Sequence, residues 1–505
     1  MTSVGSTALS ESLLDEYDYG ERLEEEGAGQ KTSEEADGRR WEQLLIFVVL
    51  NVCSQMAWIQ YTTVPSECAA AFGVPLSAVT ALATTFPAVY VFGSILAARA
   101  MRRGSLKGTL RESASWMLLG SALKLFGAAL AFRQKQLGYA LTLLGQSFVG
   151  LGQPHLLNSP AALATDWFPF SERDLAATLG LLGSILGQVI GEALCPVVVA
   201  AARKNLQSST TEAIFLLSLF VAAPTVLVSI WTFFRFQNRF KLQPLTSAEL
   251  VAQQRGAFVE VKHTSLLRQW YRALKEDHDF FILWLAFCVG ISVFNSILAL
   301  AAQWLALCGY NDGVAGLVTA VFVVVGIPAA GIVGAILDAT RAYRPVLKGL
   351  ALLSFLGTLS LVLAARPHDT LFLYLASGLA GGALIAASAA IMEAAVECTH
   401  PKAPELSTGL LFCGGNLLTV AVTYVIDALL RAQRGQCLPL DAIFSQHRSA
   451  PVALFLLGSF VLCSTLLIVY KGPYRRLEAE KKQQKIILER QQQRQRGPSL
   501  VRITI

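Results

Sequence analysis

The segment from Phe280 to Leu307 reads FFILWLAFCVGISVFNSILALAAQWLAL and contains no charged residue. As a helix that rises about 1.5 Å per residue, it is longer than the ~30 Å hydrocarbon core of a bilayer. A run of this length and composition predicts a transmembrane helix. Similar apolar stretches, separated by short polar loops, occupy the chain on both sides of it.

The composition of the whole chain supports the same interpretation. Of its 505 residues, 54% are hydrophobic and 15% are charged, against roughly 45–50% and 25% in soluble proteins. The net charge of +6 does not predict nucleic-acid binding, because the basic residues lie in short loops and in the last stretch. The chain carries no GxSxG, HExxH or Walker motif, so neither an enzyme nor a bound cofactor is expected. Its nine cysteines follow no metal-ligand spacing, which favours small buried hydrophobic residues.

Twelve apolar stretches divide into two groups of six. The first group lies near residues 42–64, 78–99, 116–132, 138–163, 175–202 and 212–234, and the second near 280–307, 313–338, 345–365, 370–397, 406–431 and 451–470. We therefore predict an all-α membrane protein with twelve transmembrane helices in two six-helix lobes related by a pseudo-two-fold.

Polar segments around these groups define the domain organisation. The predicted units are a disordered acidic tail (1–40), an N-terminal lobe (41–235), a polar linker (236–279), a C-terminal lobe (280–470) and a basic tail (471–505). Lys and Arg follow the second, eighth and twelfth stretches and occur along the linker, whereas the loop after the first stretch has Glu67 and no basic residue. This asymmetry predicts that both termini are cytoplasmic. The membrane itself is either the plasma membrane or an endomembrane such as that of the lysosome.

The basic tail has helix-forming composition from Leu477 to Arg496, with an i,i+4 pair at Glu478 and Lys482. Either it is a solvated helix, or its basic residues contact anionic lipid headgroups, at about 1 kcal/mol per residue near the surface. The bilayer and a small-molecule substrate are the partners that the sequence predicts.

One loop motif indicates a moving part. The chain reads GIVGAILDATRAYR from Gly331, which predicts a tightly packed helix end followed by Asp338 and Arg341 at a cytoplasmic turn. This resembles the Gly-x-x-x-Asp loop signature of the major facilitator superfamily. In that family the acid and the base form a latch between adjacent helices, which breaks and remakes as the lobes rock.

Charged residues near the ends of the fourth and tenth stretches have two interpretations. Glu172 and Arg173 precede the fifth stretch, and Glu393 and Glu397 end the tenth. Both segments are expected at the cytoplasmic side. These side chains are either inter-lobe ion pairs that close an inner gate, or helix caps and surface charges.

Several short motifs give a more specific resemblance. They are Trp58-Ile-Gln-Tyr61, Gly145-Gln146 with Gln153, MEAAVE at 392–397, STGLL at 407–411 and PYRRL at 473–477. Together they look like the feline leukaemia virus subgroup C receptor-related family, the heme and choline transporter family of the major facilitator superfamily. The resemblance runs from about Arg39 to Leu477.

The resemblance implies a central cavity in which a quaternary ammonium group stacks on the tryptophan of WIQY. The substrate-binding positions that it implies are Trp58, Gln153, Asn295 and Asn416, and Tyr61 of the WIQY motif is a further candidate. An aromatic face attracts a desolvated cation by ~2 kcal/mol, so the implied chemistry is physically reasonable. The family's choline carriers have an aromatic residue in place of Asn295 and a glutamine in place of Asn416, and both differences favour a more polar ligand.

Each candidate also has a structural interpretation. Trp58 could belong to an interfacial aromatic belt, and the mid-span amides could simply bond neighbouring helices. Glu192 is an acid well inside the fifth stretch, so it is either a proton-coupling or counter-charge site, or a partner for a neighbouring span.

Three functions remain open from the sequence. The favoured one is a transporter that moves a small organic solute, choline-like, ethanolamine-like or another polar nutrient, by alternating access. The second is a heme transporter, for which His155 is the one histidine inside a span. The third is a receptor or scaffold that does not transport, which would not need the polar mid-span residues.

Overall fold

A computed structural model of the chain describes residues 38–103, 105–168, 172–205, 207–238, 266–367, 369–399, 404–433 and 450–478. These residues form helices joined by short turns. The predicted acidic tail, most of the linker and most of the basic tail lie outside the described residues. The interpretations placed on those three segments therefore stay predictions.

Fifteen helices of eight or more residues lie in the described part of the chain. They are α1 (Gly38–Ile59), α2 (Pro65–Phe72), α3 (Leu76–Arg102), α4 (Leu106–Leu130), α5 (Lys135–Leu157), α6 (Pro160–Trp167), α7 (Arg173–Asn205), α8 (Thr210–Arg235), α9 (Leu266–Glu276), α10 (His278–Leu307), α11 (Asp312–Thr340), α12 (Tyr343–Ala364), α13 (Thr370–Thr399), α14 (Pro404–Ala432) and α15 (Pro451–Val469).

Eleven of these helices are long and apolar enough to cross a bilayer. The twelfth long helix, α5, has 23 residues and so matches the bilayer in length. Its lower apolarity comes from polar residues that include Gln146, Gln153 and His155, and all three are buried inside the protein. The twelve-helix prediction therefore holds once α5 is counted by its length and packing.

The long helices pack as two bundles. In the N-terminal lobe α4 packs against α5 and α8, and α3 packs against α5. In the C-terminal lobe α13 packs against α11 and α12, and α10 packs against α14. With twelve crossings, the first residue of α1 and the last of α15 lie on the same face of the molecule. We call this face the terminal side and the opposite face the far side.

The structure corrects three predicted helix boundaries. The first span ends at Ile59 and not at residue 64, because the chain turns before Pro65 starts α2. The third begins at Leu106, where Ser105 caps it by accepting from Gly108 N at 3.1 Å. Its first turns contain charged residues, so a hydropathy pattern places the start too late. The fourth ends at Leu157, and Pro160 begins a separate helix there.

Glycines set the spacing inside each lobe. In α4 and α5, a methyl group on Gly120 would lie 2.6 Å from the carbonyl oxygen of Gly145, and one on Gly138 would lie 2.6 Å from that of Gly127. In the C-terminal lobe, a methyl group on Gly381 of α13 would overlap the carbonyl of Phe322 of α11. Small residues let helix backbones approach closely in a membrane, where van der Waals packing replaces the hydrophobic drive.

The predicted tight packing of the GIVG motif is wrong for its glycines. Gly331 and Gly334 face open space, since a methyl group on either would meet no atom within 4 Å. They lie on a face of α11 that no described neighbour covers, and the sequence alone does not distinguish a packed glycine from an uncovered one.

On the terminal side, the last part of the linker forms the helix α9. The helix α9 buries Trp270 and Ala273 in the core of the C-terminal lobe. Just beyond it, Asp277 accepts two hydrogen bonds from Arg475, at 2.7 and 2.8 Å. The hydrogen bond to Asp277 raises the pKa of Arg475, and a two-point, charge-assisted hydrogen bond of this kind is stronger than a neutral one. It fastens the segment after α15 to the start of α10.

We expect Gly381→Ala to destabilise the protein, because the added methyl group overlaps backbone that cannot rotate away. Gly331→Ala is the matched control in the same lobe and should be neutral or slightly stabilising, since alanine favours helix and the site is open. Apparent melting temperatures from fluorescence-detected size-exclusion chromatography measure both. Equal melting temperatures for the two variants would contradict the close approach of α11 and α13.

Candidate functional site

The two lobes meet through polar contacts near the far side. Between α3 and α14, Thr80 donates to Asp427 Oδ1 at 3.2 Å and Thr84 donates to the Tyr424 hydroxyl at 3.3 Å. Gln303, near the end of α10, donates to Thr80 at 3.5 Å. These side chains lie close to the far-side ends of their helices. They hold the lobes together there.

A second contact joins α7 to α11. Glu192 is 2% exposed, and its Oε2 accepts from the Thr319 hydroxyl at 2.8 Å. The helices touch here because Gly316 has no side chain, and a methyl group on it would overlap the carbonyl of Glu192. Glu192 therefore lies in the contact between lobes. In the described part of the chain it forms no ion pair with a basic residue.

We call this set of contacts the far-side gate. Its members are Thr80, Thr84, Glu192, Gln303, Thr319, Tyr424 and Asp427.

The predicted inner-gate residues contact their own lobes. Glu172 pairs with Arg40 at 3.3 Å, and Arg173 Nε donates to the carbonyl of Phe168 at 3.2 Å. In the other lobe, Glu397 is buried and accepts from the backbone N–H of Leu477 at 2.8 Å.

Two further gating candidates are exposed, and one is not described in detail. Glu393 is exposed near the end of α13. Arg341 is exposed and ends α11 with φ 52°, in the left-handed region. The side chain of Asp338 lies outside the described part, although its backbone belongs to α11.

Trp58 is held in the last turn of α1. It is 5% exposed, and its indole N–H donates to the carbonyl of Ala83 on α3 at 3.1 Å. Its ring stacks on Phe86, with centroids 5.6 Å apart and planes 21° apart. These contacts hold Trp58 against α3, one turn nearer the terminal side than Thr80 of the far-side gate, and not in an aromatic belt at the lipid interface.

Three buried amides lie nearer the terminal side than Trp58. Gln146 donates to the carbonyl of Trp58 at 2.9 Å, so Gln153, two turns further along α5, lies about 10 Å deeper. Asn295 donates to Thr419 at 3.3 Å, which is about 12 Å along α14 from the gate residue Asp427. Asn416 is one turn beyond Thr419. The amides of the two lobes thus occupy similar depths.

The amides differ in their hydrogen bonding. Asn416 is 9% exposed and donates to the carbonyl of Phe412 at 2.9 Å, while Asn295 is 7% exposed and bonds Thr419. Gln153 is 6% exposed and makes no hydrogen bond with the other described residues. An amide without a protein partner in a membrane interior is suited to bind a solute or water.

Tyr61 is separated from this group. It is fully buried, and its hydroxyl bonds Ser218 of α8 at 3.0 Å. Its ring lies 5.1 Å from the ammonium of Lys124. The structure therefore places Tyr61 in the core of the N-terminal lobe, while Trp58 of the same motif packs against α3.

Two buried charged residues were not predicted as candidates from the sequence. Lys124 of α4 is 3% exposed and donates to the carbonyl of Ala57 at 2.6 Å and to Gln146 Oε1 at 2.7 Å. Asp427 is 1% exposed and pairs with Arg431, one turn later, at 2.7 Å. The signal available for both was a charge inside an apolar stretch, which marks functional candidates in membrane helices.

His155, the histidine that a heme transporter could use as a ligand, and the free cysteines are buried in the described part of the chain. His155 is fully buried, with its Nε2 3.7 Å from Glu112 Oε1 inside the N-terminal lobe, so it packs at a helix end. Seven of the described cysteines are free and buried. Cys308, which follows α10 on the far side, is disulfide-bonded, an exception to the prediction of small hydrophobic residues.

Similar proteins are transporters by name. Solute carrier family 49 member A3 of Danio rerio is 27% identical over 448 residues, covering 88% of this chain and 89% of that protein. Choline/ethanolamine transporter flvcr2a of Danio rerio is 25% identical over 388 residues, covering 77% and 80%. Choline/ethanolamine transporter FLVCR1 of Felis catus is 25% identical over 390 residues, covering 76% and 67%. These relatives confirm the resemblance drawn from the WIQY and MEAAVE motifs.

The fold is shared with solved structures. A bacterial homolog of the human lysosomal transporter Spinster, in an inward-facing and unoccupied conformation, aligns with TM-score 0.62 at 14% identity and covers 86% of this chain and 97% of its own. The transporter FucP in an outward conformation aligns with TM-score 0.51 at 15% identity, covering 85% and 99%. Residues 46–423 match the Major Facilitator Superfamily. Because this match takes in most of the chain, including both lobes, the protein belongs to the Major Facilitator Superfamily.

Proposed function

We propose that this protein carries a small polar or cationic organic solute across a bilayer by alternating access, and that it catalyses no chemical reaction. The observation that carries the proposal is the far-side gate. It joins two six-helix lobes at one end by hydrogen bonds between neutral and acidic side chains. Such bonds can break and re-form as the lobes rock, because water replaces each lost partner at a cost of about 1 kcal/mol.

The substrate platform that we propose is Trp58, with Gln153, Asn295 and Asn416 orienting the solute. Depth supports this proposal. The amides lie on the terminal side of Trp58, and the Thr80–Asp427 contact of the gate lies one turn of α3 nearer the far side than Ala83, which accepts from the indole. A solute held at this level would be shielded from the far side while the gate is closed. One face of the indole is occupied by Phe86, so a cation would have to approach the opposite face.

The proposed class of solute rests on the names of similar proteins and on two positions at which, by the resemblance described above, this chain differs from the family's choline carriers. Two of the similar proteins are named as choline/ethanolamine transporters. Asn295 and Asn416 replace the aromatic residue and the glutamine of the family's choline carriers. Amides in place of an aromatic wall favour a solute with hydrogen-bonding groups, such as a primary ammonium or a hydroxyl, over a bare quaternary ammonium.

Inner gating is assigned to residues of the terminal side. Here Asp338 and Arg341 would latch the second lobe, and Glu172, Arg173, Glu393 and Glu397 would exchange their present partners for partners in the other lobe. The ion pair of Glu172 with Arg40 lies within one lobe, with the side chains 36% and 16% exposed. It is compatible with this role, because a pair that water can reach contributes little and is exchanged at small cost.

We further propose that the terminal side faces the cytoplasm. The distribution of Lys and Arg supports this orientation, and the disulfide-bonded Cys308 on the far side supports it independently, since disulfides persist in oxidising compartments. The plasma membrane and an endomembrane such as that of the lysosome both satisfy this condition. Contact of the basic tail with anionic lipid would be compatible with it as well.

Replacing Trp58 tests the platform. We expect Trp58→Ala to raise the KM for radiolabelled choline or ethanolamine about five- to thirty-fold, because a π-face is worth roughly 1–2 kcal/mol to a desolvated cation. Trp58→Phe should lose less. Trp116→Ala removes a comparable ring, stacked on Phe148 within the N-terminal lobe, and serves as the control. Unchanged KM values and solute preference in both Trp58 variants would show that the solute does not sit there.

A second substitution tests the assignment of solute class. Asn295→Tyr would restore the aromatic wall of the choline carriers and should shift preference from ethanolamine towards choline in competition uptake assays. Asn311→Tyr, at the exposed start of α11, adds the same ring away from the site. A preference order that does not change would remove Asn295 from the site.

The latch is tested by turnover. Asp338→Asn should alter the maximal uptake rate more than the apparent affinity, because a latch biases the conformational equilibrium without touching the solute. Asp369→Asn is the control on the far side, where the side chain caps α13 by accepting from Phe372 N at 3.4 Å and asparagine preserves the cap. The latch assignment fails if properly folded Asp338→Asn protein transports at the original rate.

A further inference from the structure

At the end of α1, backbone carbonyls need hydrogen-bond donors in a part of the protein where the bilayer supplies no water. This helix ends at Ile59, and the next residues turn towards α2. Met56 and Ile59 still find backbone donors, from Gln60 at 3.1 Å and Thr62 at 3.0 Å. The carbonyls of Ala57 and Trp58 lie between them, at the end of a helix, where carbonyls lack the partners that interior residues have.

Two side chains satisfy these carbonyls. Lys124 Nζ donates to the carbonyl of Ala57 at 2.6 Å, and Gln146 Nε2 donates to that of Trp58 at 2.9 Å. The two side chains are themselves joined, because Lys124 also donates to Gln146 Oε1 at 2.7 Å. The result is a closed ring of hydrogen bonds linking the last turn of α1 to α4 and α5.

The charge of Lys124 suits this position. The C-terminal end of a helix carries partial negative charge, which a cation stabilises. The ammonium also lies 5.1 Å from the ring of Tyr61, a favourable cation–π distance. No acidic residue of the described chain forms an ion pair with it. The helix end and the ring therefore take the place of a counter-ion.

The helices that carry these two donors, α4 and α5, are tightly packed against each other. A methyl group on Gly145 would lie 2.7 Å from Lys124 Cγ and 2.6 Å from the carbonyl of Gly120. The glycine thus makes room both for the lysine stem and for the close contact of α4 with α5. A donor fixed on two tightly packed helices can hold a helix end at a set position.

We propose that Lys124 and Gln146 are positioning residues that fix the backbone of Trp58 from one side, while Ala83 and Phe86 fix its side chain from the other. The role of Trp58 in binding rests on the proposed function, but the positioning does not. Losing either donor would leave a carbonyl of the last turn buried without a partner. The indole would then sample more than one position.

The first test observes Trp58 directly and needs no substrate. The chain has eight tryptophans, so the full-length protein labelled with 5-fluorotryptophan in lipid nanodiscs gives a small set of ¹⁹F signals, and Trp58→Phe assigns one of them. We expect Gln146→Leu and Lys124→Met to shift, split or broaden the Trp58 signal selectively. Gln136→Leu, on the exposed start of the same helix, should leave it unchanged.

Two results decide the outcome. If Lys124→Met does not fold, Gln146→Leu, which keeps the buried volume similar, carries the test alone. A Trp58 signal that is the same in Gln146→Leu as in the unmodified protein would overturn the proposal. So would equal changes at all the tryptophans, since these would indicate general destabilisation.

The second test uses uptake of labelled choline and ethanolamine. Gln146→Leu should raise KM at least five-fold when Trp58 is present and less than two-fold in the Trp58→Ala background, because residues that act through one another are not additive. Equal effects in both backgrounds would contradict positioning. If the unmodified protein transports neither solute, the proposed substrate class fails while the ¹⁹F result still decides the role of Lys124 and Gln146.

Discussion

The interior of a bilayer offers no water to an unpaired backbone group, and the rest of this structure follows from that constraint. Most of the chain meets it by running as long helices that satisfy themselves. The informative places are those where a helix stops below the surface. At the end of α1 the orphan carbonyls of Ala57 and Trp58 are taken up by Lys124 and Gln146. A buried charge that would otherwise be costly is thereby made part of the fold.

The two kinds of helix contact in the molecule differ in chemistry and in consequence. Within a lobe, glycines such as Gly145 and Gly381 bring backbones into direct contact, which makes each lobe a body that resists deformation. Between the lobes, the far-side contacts combine single hydrogen bonds, as from Thr319 to Glu192, with a close backbone approach at Gly316. Because side-chain hydrogen bonds can break and re-form while the packing inside each lobe persists, this arrangement favours rigid-body movement at that boundary.

The two acidic residues of the far-side gate, Glu192 and Asp427, have different electrostatic surroundings. Asp427 has Arg431 one helical turn away, so its charge is compensated inside the C-terminal lobe. Glu192 has a hydroxyl donor from the opposite lobe and, in the described chain, no basic partner. When the lobes separate, Glu192 loses its hydroxyl donor Thr319, whereas Asp427 keeps Arg431. The free energy of separating α7 from α11 therefore depends strongly on the groups that surround Glu192 after separation.

The sequence by itself determined the class of protein, the number of long helices and their division into two lobes. Uninterrupted apolar length is a local property, and a bilayer leaves few folds that satisfy it. The same reading misplaced the ends of three helices. Ser105, Pro160 and the turn after Ile59 set those ends through capping and local geometry, which hydropathy does not register.

Only part of the candidate site could be predicted from the sequence, because the pairing of buried polar groups depends on how the helices are placed. WIQY and the mid-span amides marked Trp58, Gln153, Asn295 and Asn416 as candidates, but the tertiary structure decided that Tyr61 belongs to the core of one lobe and that Gly331 faces outwards. It also brought Thr80 to Asp427 and Lys124 to Ala57, pairs far apart in the chain. Which buried polar groups become partners depends on how helices are placed in three dimensions. A single helix does not specify that placement, because its own hydrogen bonds are already satisfied.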